Sequence, residues 1–174
     1  LNWHLNFTTT HKHFKEDLPH LEFCGEVAIK QYKKGRYFIR EHPSGTSIDH
    51  WVKSWKQLST FDDIYEITMD QCMAGQVSRR GIPVRKRTQL VANHKALLEP
   101  LRNFVCNNNH AHDIVHGEDL HLCQMYPWRM CKAIVQGVYD LKWGRHKFTT
   151  KQEQSFPASS VSANIPTASS TCPA

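Results

Sequence analysis

A short stretch with one thiol and two imidazoles is the part of the sequence best suited to chemistry. Cys106, His110 and His112 fall within seven residues. Thiolates and neutral imidazoles are ligands that zinc prefers, and a structural zinc site needs four of them. The gap after Cys106 suits a turn, and the His-Ala-His spacing places both rings on one side of an extended segment. The stretch therefore predicts a zinc site and supplies three of its ligands.

The fourth ligand has several candidates. His116, His121 and Cys123 lie close along the chain, whereas Cys72 is distant. Cys72 follows a predicted strand, and a knuckle-like turn ending at Gly75 would present its sulfur. We favour Cys72, which completes a Cys2His2 site that is structural and not catalytic, because protein fills all four positions. The alternative is that the cysteines are small buried residues and the histidines belong to loops.

A carboxylate and a basic run are candidates for ligand contact. Glu41 follows an apolar strand, and the carboxyl ends of strands in open α/β sheets face the usual ligand crevice. Pairing with a neighbouring cation is the alternative for Glu41. Arg85, Lys86 and Arg87 begin a later strand and can hold phosphate or nucleobase oxygens. The alternative for this run is a solvated charged surface.

Alternating helices and strands are predicted to position these groups. Helical spacing begins at Pro19 and ends at Gly35, and a helix with Trp51, Trp55 and Leu58 follows a short strand. Further elements are strands over 64–69 and 84–92, a helix over 95–103, and a last helix from Tyr126-Pro127 that buries Cys131, Ile134, Val135 and Val138. The alternation over residues 19–92 predicts an α/β sheet.

Composition limits the class of protein. The 174 residues are 40% hydrophobic, enough for one domain with a core. No apolar run is long enough to span a bilayer, and no signal peptide is visible. Six cysteines without a signal sequence predict an intracellular, reducing compartment, the nucleus or cytoplasm, where Cys near His favours metal binding. The chain lacks an initiator Met, so we expect it to be a piece of a longer protein.

Charge and the chain ends suggest a partner and domain limits. The net charge is +6, with basic clusters over residues 30–40, 79–87 and 142–151, which favours DNA as a polyanionic partner. The alternative is that this charge only makes the surface soluble. Residues 1–18 are predicted to be a peripheral segment and residues 19–142 the folded part, including a Cys/His segment over 106–123. Residues 143–174, basic and then rich in Ser, Thr and Ala, are predicted to be a disordered tail. The oligomeric state is not predicted.

The order of motifs resembles a known family. The motifs are Glu41-His-Pro after a strand, Asp70-Gln-Cys after another, and Gly81-Ile-Pro-Val-Arg85-Lys-Arg87 before a third. This order resembles the later half of the catalytic domain of DNA cytosine-5 methyltransferases, where a strand ends in Glu-Asn-Val and a hairpin carries Gly-Val-Pro-Gln with an Arg-x-Arg pair. Together with the Cys/His stretch and Tyr126-Pro, it looks closer still to methyltransferase-like segments of mobile-element polyproteins. The resemblance covers residues 20–140.

The resemblance implies a partial Rossmann-like methyltransferase sheet with a zinc-braced, helical C-terminal segment. It implies that Glu41 contacts a flipped cytosine and that Arg85 or Arg87 contacts its carbonyl or a phosphate. His42 and Pro43 replace the family's Asn and Val. Its Gln falls on Val84 or on Pro83, depending on the alignment, and is lost in both.

Two further departures bear on activity. The Gly-containing loop for S-adenosylmethionine and the Pro-Cys loop of the family are absent from this sequence. We therefore expect no methylation by this chain alone, and S-adenosylmethionine as a cofactor only if a longer protein supplies the upstream half. The rival expectations are a non-enzymatic zinc-dependent module for nucleic-acid binding or assembly, and a degraded fragment without activity.

Overall fold

A three-stranded antiparallel sheet lies at the centre of the fold. The computed structural model describes residues 7–46, 48–114 and 117–144. The strands are β1 (Ile39–Pro43), β2 (Tyr65–Asp70) and β3 (Arg87–Ala92), in the order β1-β3-β2. Leu90 of β3 lies between Glu41 of β1 and Ile67 of β2, and both pairings are antiparallel. The central strand β3 is consequently the most buried of the three.

One helical layer combines the first helix with two short helices. These are α1 (Phe7–Lys33), α2 (Ile48–Trp51) and α3 (Lys53–Leu58). Their shared core is a cluster of buried side chains: Ala28, Ile29, Val52, Trp55 and Leu58. The Glu22 carboxylate of α1 accepts hydrogen bonds from the backbone N–H groups of Lys53 and Ser54, at 2.8 and 3.0 Å. Since the first N–H groups of a helix lack internal partners, Glu22 acts as the cap of α3.

The second helical layer contains α4 (Lys95–Leu98), a 3-10 turn (Glu99–Leu101) and α5 (Trp128–Trp143). It shares a core with the sheet: Ile67, Met69, Leu90, Ala92, Leu97, Leu98, Leu101, Met130 and Ala133. Gly137 brings α5 against the backbone of α4, since a Cβ atom there would lie 2.8 Å from the Leu97 carbonyl oxygen and 2.9 Å from that of Ala96. No helix among the described residues is long and apolar enough to cross a membrane.

The mixed α/β class predicted from the sequence is confirmed, but a Rossmann-like sheet is not shown. A Rossmann-like sheet is mostly parallel, whereas the described strands pair only in antiparallel fashion. The strand boundaries also differ, because Glu41 lies inside β1 and β3 begins only at Arg87. The 3-10 turn interrupts the helix predicted over 95–103, because Pro100 cannot donate a backbone hydrogen bond.

Two helices differ from the prediction. The first begins at Phe7, with Pro19 inside it, so much of the predicted peripheral segment 1–18 is helical. The prediction for α5 was wrong for Val135 and Val138, which are 68% and 43% exposed. Cys131 and Ile134 are half-buried, and the fully buried residues are Met130, Ala133 and Gly137. The predicted tail 143–174 lies outside the described residues from residue 145 onward, and so do residues 1–6.

Candidate metal centre

The four residues favoured as zinc ligands come together in the structure. One sulfur or nitrogen atom from each of Cys72, Cys106, His110 and His112 lies within 4.8 Å of the other three. Cys106 is buried, and the other three side chains are half-buried. The five described cysteines are all free thiols. These four groups form a Cys2His2 cluster that can hold a metal ion.

The distances from Cys106 to the two histidines suit tetrahedral coordination. Cys106 Sγ lies 3.7 Å from His110 Nε2 and 3.4 Å from His112 Nε2. With zinc–sulfur bonds of about 2.3 Å and zinc–nitrogen bonds of about 2.1 Å, the sulfur–nitrogen edge of a tetrahedron is about 3.6 Å. The imidazole centroids are 4.6 Å apart and their planes are inclined by 62°, so the two rings converge without stacking. These two distances therefore match those of groups sharing one small ion, and all four donor atoms lie within 4.8 Å of one another.

The turn after Cys106 prepares its sulfur and one imidazole for this role. Asn108 adopts a positive φ of 60°, and its backbone N–H donates to Cys106 Sγ at 3.3 Å. His110 Nδ1 lies 3.1 Å from the carboxamide oxygen of Asn109. If Nδ1 carries the proton and donates it to that oxygen, Nε2 keeps its lone pair free for a metal. Histidines that bind metals commonly have such a hydrogen bond on the other ring nitrogen.

The other thiol enters the cluster from a turn at the end of β2. Cys72 lies in a 3-10 turn (Gln71–Ala74), which Gly75 ends in the left-handed conformation with φ of 97°. The turn is anchored by the buried Gln71 side chain, whose Nε2 donates to Thr88 Oγ1 at 2.8 Å. Burial and the neighbouring Cys106 thiol raise the pKa of Cys72 to about 11. A metal ion binding here must therefore displace a proton from the Cys72 thiol.

A buried carboxylate joins the sheet to the cluster. Asp70, the last residue of β2, has a side chain that is only 1% exposed. Its Oδ2 accepts the backbone N–H of Cys106 at 3.0 Å, and its Oδ1 accepts Arg85 Nε at 3.1 Å. Its backbone N–H donates to the Phe104 carbonyl at 2.7 Å. Asp70 thus fixes the segment on which Cys106 enters the cluster. The sequence analysis did not predict this role of Asp70. The available signal was an Asp directly before Gln71 and the proposed ligand Cys72.

Two of the three basic residues predicted to bind nucleic acid, Arg85 and Arg87, contact this carboxylate. Arg85 also donates to Asn108 Oδ1 at 2.8 Å, and Arg87 Nε lies 3.6 Å from Asp70 Oδ1. Lys86 Nζ donates to the Cys123 carbonyl at 2.8 Å. Arg87 is the most exposed of the three. Arg85 and Arg87 therefore already bind groups beside the Cys2His2 cluster, and Lys86 binds a backbone carbonyl elsewhere.

Glu41 lies apart from the cluster, in a different environment. Its Oε2 accepts a hydrogen bond of 2.9 Å from the Tyr126 hydroxyl. Its Oε1 is buried and accepts no hydrogen bond from the described residues. Burial and the Glu41 carboxylate raise the pKa of Tyr126 to about 12. The structure thus places Glu41 against a phenol and does not bring it to the Cys2His2 cluster.

Comparisons with protein-family models, with curated proteins and with solved structures found no match for this chain. Any function assigned to the chain therefore rests on the geometry and the charge of the protein itself.

Proposed function

We propose that the chain is a non-enzymatic, zinc-braced module that binds nucleic acid. The observation that carries the zinc assignment is the convergence of Cys72, Cys106, His110 and His112 within 4.8 Å. Two thiolates and two imidazoles form a donor set that zinc favours. Protein supplies all four positions, and a catalytic zinc needs an open one, so the ion has a structural role.

The ion would join two distant parts of the chain. Cys72 follows the edge strand β2, whereas the other three ligands belong to the segment after α4. The end of that segment has anchors of its own, because Asp113 donates its backbone N–H to Pro83 at 2.8 Å and accepts hydrogen bonds from the Arg80 guanidinium. The ion would therefore hold the loop between β2 and β3 against the segment before α5.

Metal analysis tests the zinc assignment. We expect one zinc per purified chain, and we expect cobalt(II) substitution to give the visible spectrum of a tetrahedral thiolate site. Cys106→Ser and Cys72→Ser should each lose the ion. Cys24→Ser is the matched control, because Cys24 lies on α1 outside the cluster and should keep the full zinc content. A wild-type chain that folds with equal stability in a chelator and without bound metal would remove the assignment.

Nucleic acid is the proposed partner because of charge. The chain carries a net charge of +6, and Arg80, Arg85 and Arg87 crowd the loop that the metal would brace. Binding through phosphates should weaken steeply as salt is added, because counterions are released from the nucleic acid. Fluorescence anisotropy over a salt series measures this slope. Lack of any binding at low salt would remove nucleic acid as the partner.

A second proposal keeps the methyltransferase resemblance, including its Rossmann-like sheet, for a longer parent protein. The observation that favours it is the buried and unpartnered Oε1 of Glu41, which a donor on a flipped base would satisfy. A longer protein with the upstream segment should then transfer methyl groups from S-adenosylmethionine to DNA. Glu41→Gln should abolish this transfer, and unchanged activity in that variant would reject the role of Glu41.

A further inference from the structure

A second candidate site lies at the end of the sheet opposite the metal cluster. There Ile39, Ala92 and Tyr65 form one row across the strands, whereas Asp70 and Arg87 pair at the cluster end. Beyond this row is an open cleft of about 700 Å³, between the end of α1 and the start of α4. Ligand sites in proteins commonly have volumes of roughly 300 to 1,000 Å³. We call this region the tyrosine cleft.

Three tyrosines give the cleft its name. Tyr32, Tyr37 and Tyr65 all line it. Tyr37 is the most accessible, with 52% of its surface exposed, and its ring is held edge-on to His94 with centroids 5.6 Å apart. A planar base can stack on such a ring, because the ring is held by His94 and is still open to solvent.

Cations are placed beside these rings. Arg36 and Lys95 both line the cleft, and Lys95 Nζ lies 5.0 Å from the centre of the Tyr65 ring. Among the described residues, the Arg36 guanidinium makes no ion pair and donates no hydrogen bond. Lys33 and Lys34 come directly before the lining residues and add to the positive charge. Unlike the arginines at the metal cluster, Arg36 is therefore available to a phosphate.

The cleft also offers a carboxylate that can accept hydrogen bonds from the edge of a base. The Asp63 carboxylate accepts a long hydrogen bond of 3.4 Å from the Tyr65 hydroxyl and retains further acceptor capacity. Asn93, by contrast, is used to build the cleft: its amide donates to the Arg36 carbonyl at 2.9 Å and accepts from Phe38 N–H at 3.0 Å. These bonds fix the backbone on which Arg36 and Tyr37 are carried.

We propose that the tyrosine cleft binds a nucleotide unit of single-stranded nucleic acid. A base stacks on Tyr37, and Arg36 and Lys95 hold the adjoining phosphate. The bases of a duplex already stack on one another, so a single strand is the form that can use this ring. The inference rests on the proposed function, since it locates the nucleic-acid contact and specifies its class. It moves that contact away from the arginines beside Asp70.

The test is fluorescence anisotropy of the zinc-loaded chain with a labelled single-stranded DNA of roughly 10 nucleotides. Tyr37→Ala should weaken binding by roughly tenfold, whereas Tyr37→Phe, which keeps the ring, should bind like the wild type. Arg36→Gln should weaken binding and reduce the salt slope by about 1. Lys132→Gln is the charge-matched control, because Lys132 is exposed on α5 outside the cleft. This variant should not lose the affinity that Arg36→Gln loses.

Three outcomes would overturn the inference. The first is unchanged binding in Tyr37→Ala together with loss of binding in Arg87→Gln. That result would keep the proposed function but place the nucleic-acid contact beside the Cys2His2 cluster. The second is equal affinity for the matching duplex. The third is competition by a free nucleoside monophosphate at the same concentration as the oligonucleotide. A wild-type chain that binds no nucleic acid removes both this inference and the proposed partner.

Discussion

Replacing Asp70 with Asn tests whether the sheet positions Cys106, and with it the segment that carries three residues of the Cys2His2 cluster. The change keeps the shape of the side chain but removes its charge and turns one acceptor into a donor. Asp70 uses both oxygens, one for Cys106 N–H and one for the Arg85 guanidinium. The new amide must therefore point its NH2 group at one of these two donors. Either orientation leaves a buried donor facing another donor.

The magnitude follows from the better buried of the two contacts. The hydrogen bond between Cys106 N–H and Asp70 Oδ2 is buried and has a charged acceptor. Such bonds contribute roughly 1.5 to 3 kcal/mol. An amide that turns its oxygen to Cys106 keeps this bond but leaves its own buried NH2 group without an acceptor, which costs roughly 1 to 3 kcal/mol. In either orientation we expect Asp70→Asn to lower the free energy of unfolding by about 2 kcal/mol. Arg85 adds nothing to this figure, because its guanidinium is solvent-accessible and water can replace the lost partner.

Urea denaturation with saturating zinc, and again with a chelator, measures the effect. If Asp70 positions Cys106 for the ion, the variant should also lose zinc affinity, and the gain in stability on adding zinc should shrink. Arg87→Gln is the control, since its contact with Asp70 is longer, at 3.6 Å, and it leaves the Cys106 bond in place. An Asp70→Asn chain within 0.5 kcal/mol (roughly the scatter of neutral surface changes) of the wild type, with unchanged zinc affinity, would refute the reasoning.

Three further predictions concern the helices and one phenol. Gly137→Ala should destabilise the chain by about 1 kcal/mol or more, because the added Cβ meets backbone oxygens of α4. This overpacking outweighs the gain in helix propensity. Val135→Ala, at an exposed position of α5, is the control in the same denaturation assay. Glu22→Ala should cost about 1 kcal/mol by uncapping α3, and an unchanged unfolding midpoint would contradict the cap. The raised pKa of Tyr126 favours its neutral form in the folded state, so its contribution to stability is present below pH 10 and is lost between pH 10 and about 12. Subtracting the ultraviolet titration of Tyr126→Phe from that of the wild type should leave one phenol that ionises well above pH 10. A step near pH 10 would contradict the contact with Glu41.

The Cys2His2 cluster could be predicted because its chemistry is local. Cys106, His110 and His112 share one short stretch, and the turn ending at Gly75 marked Cys72 as a residue presented at the end of a strand. The structure brings these four groups together. The supporting contacts could not be predicted in the same way. Asp70 meets Cys106 only because β2 and the segment after α4 lie side by side in the fold.

The exposed face of α5 shows why periodicity misled. Cys131, Ile134, Val135 and Val138 recur at helical spacing, and so do Met130, Ala133 and Gly137. The apolar surface of α5 is wide enough to permit either choice. Close packing against α4 decides between them, because only the face with Gly137 lets the two backbones approach. Strand direction had a similar limit, since the sequence marks where strands lie but not how they pair.

The separation of Cys72 and Cys106 along the chain makes the proposed ion a cross-link. The closed loop would contain the central strand β3 and the helix α4. By the loop-closure relation used for disulfides, a covalent link across this span would restrict the unfolded chain by about 3 to 4 kcal/mol. Unlike a disulfide, this link opens when the ion leaves. The stability of the sheet, and of the tyrosine cleft at its far end, would therefore follow the supply of free zinc.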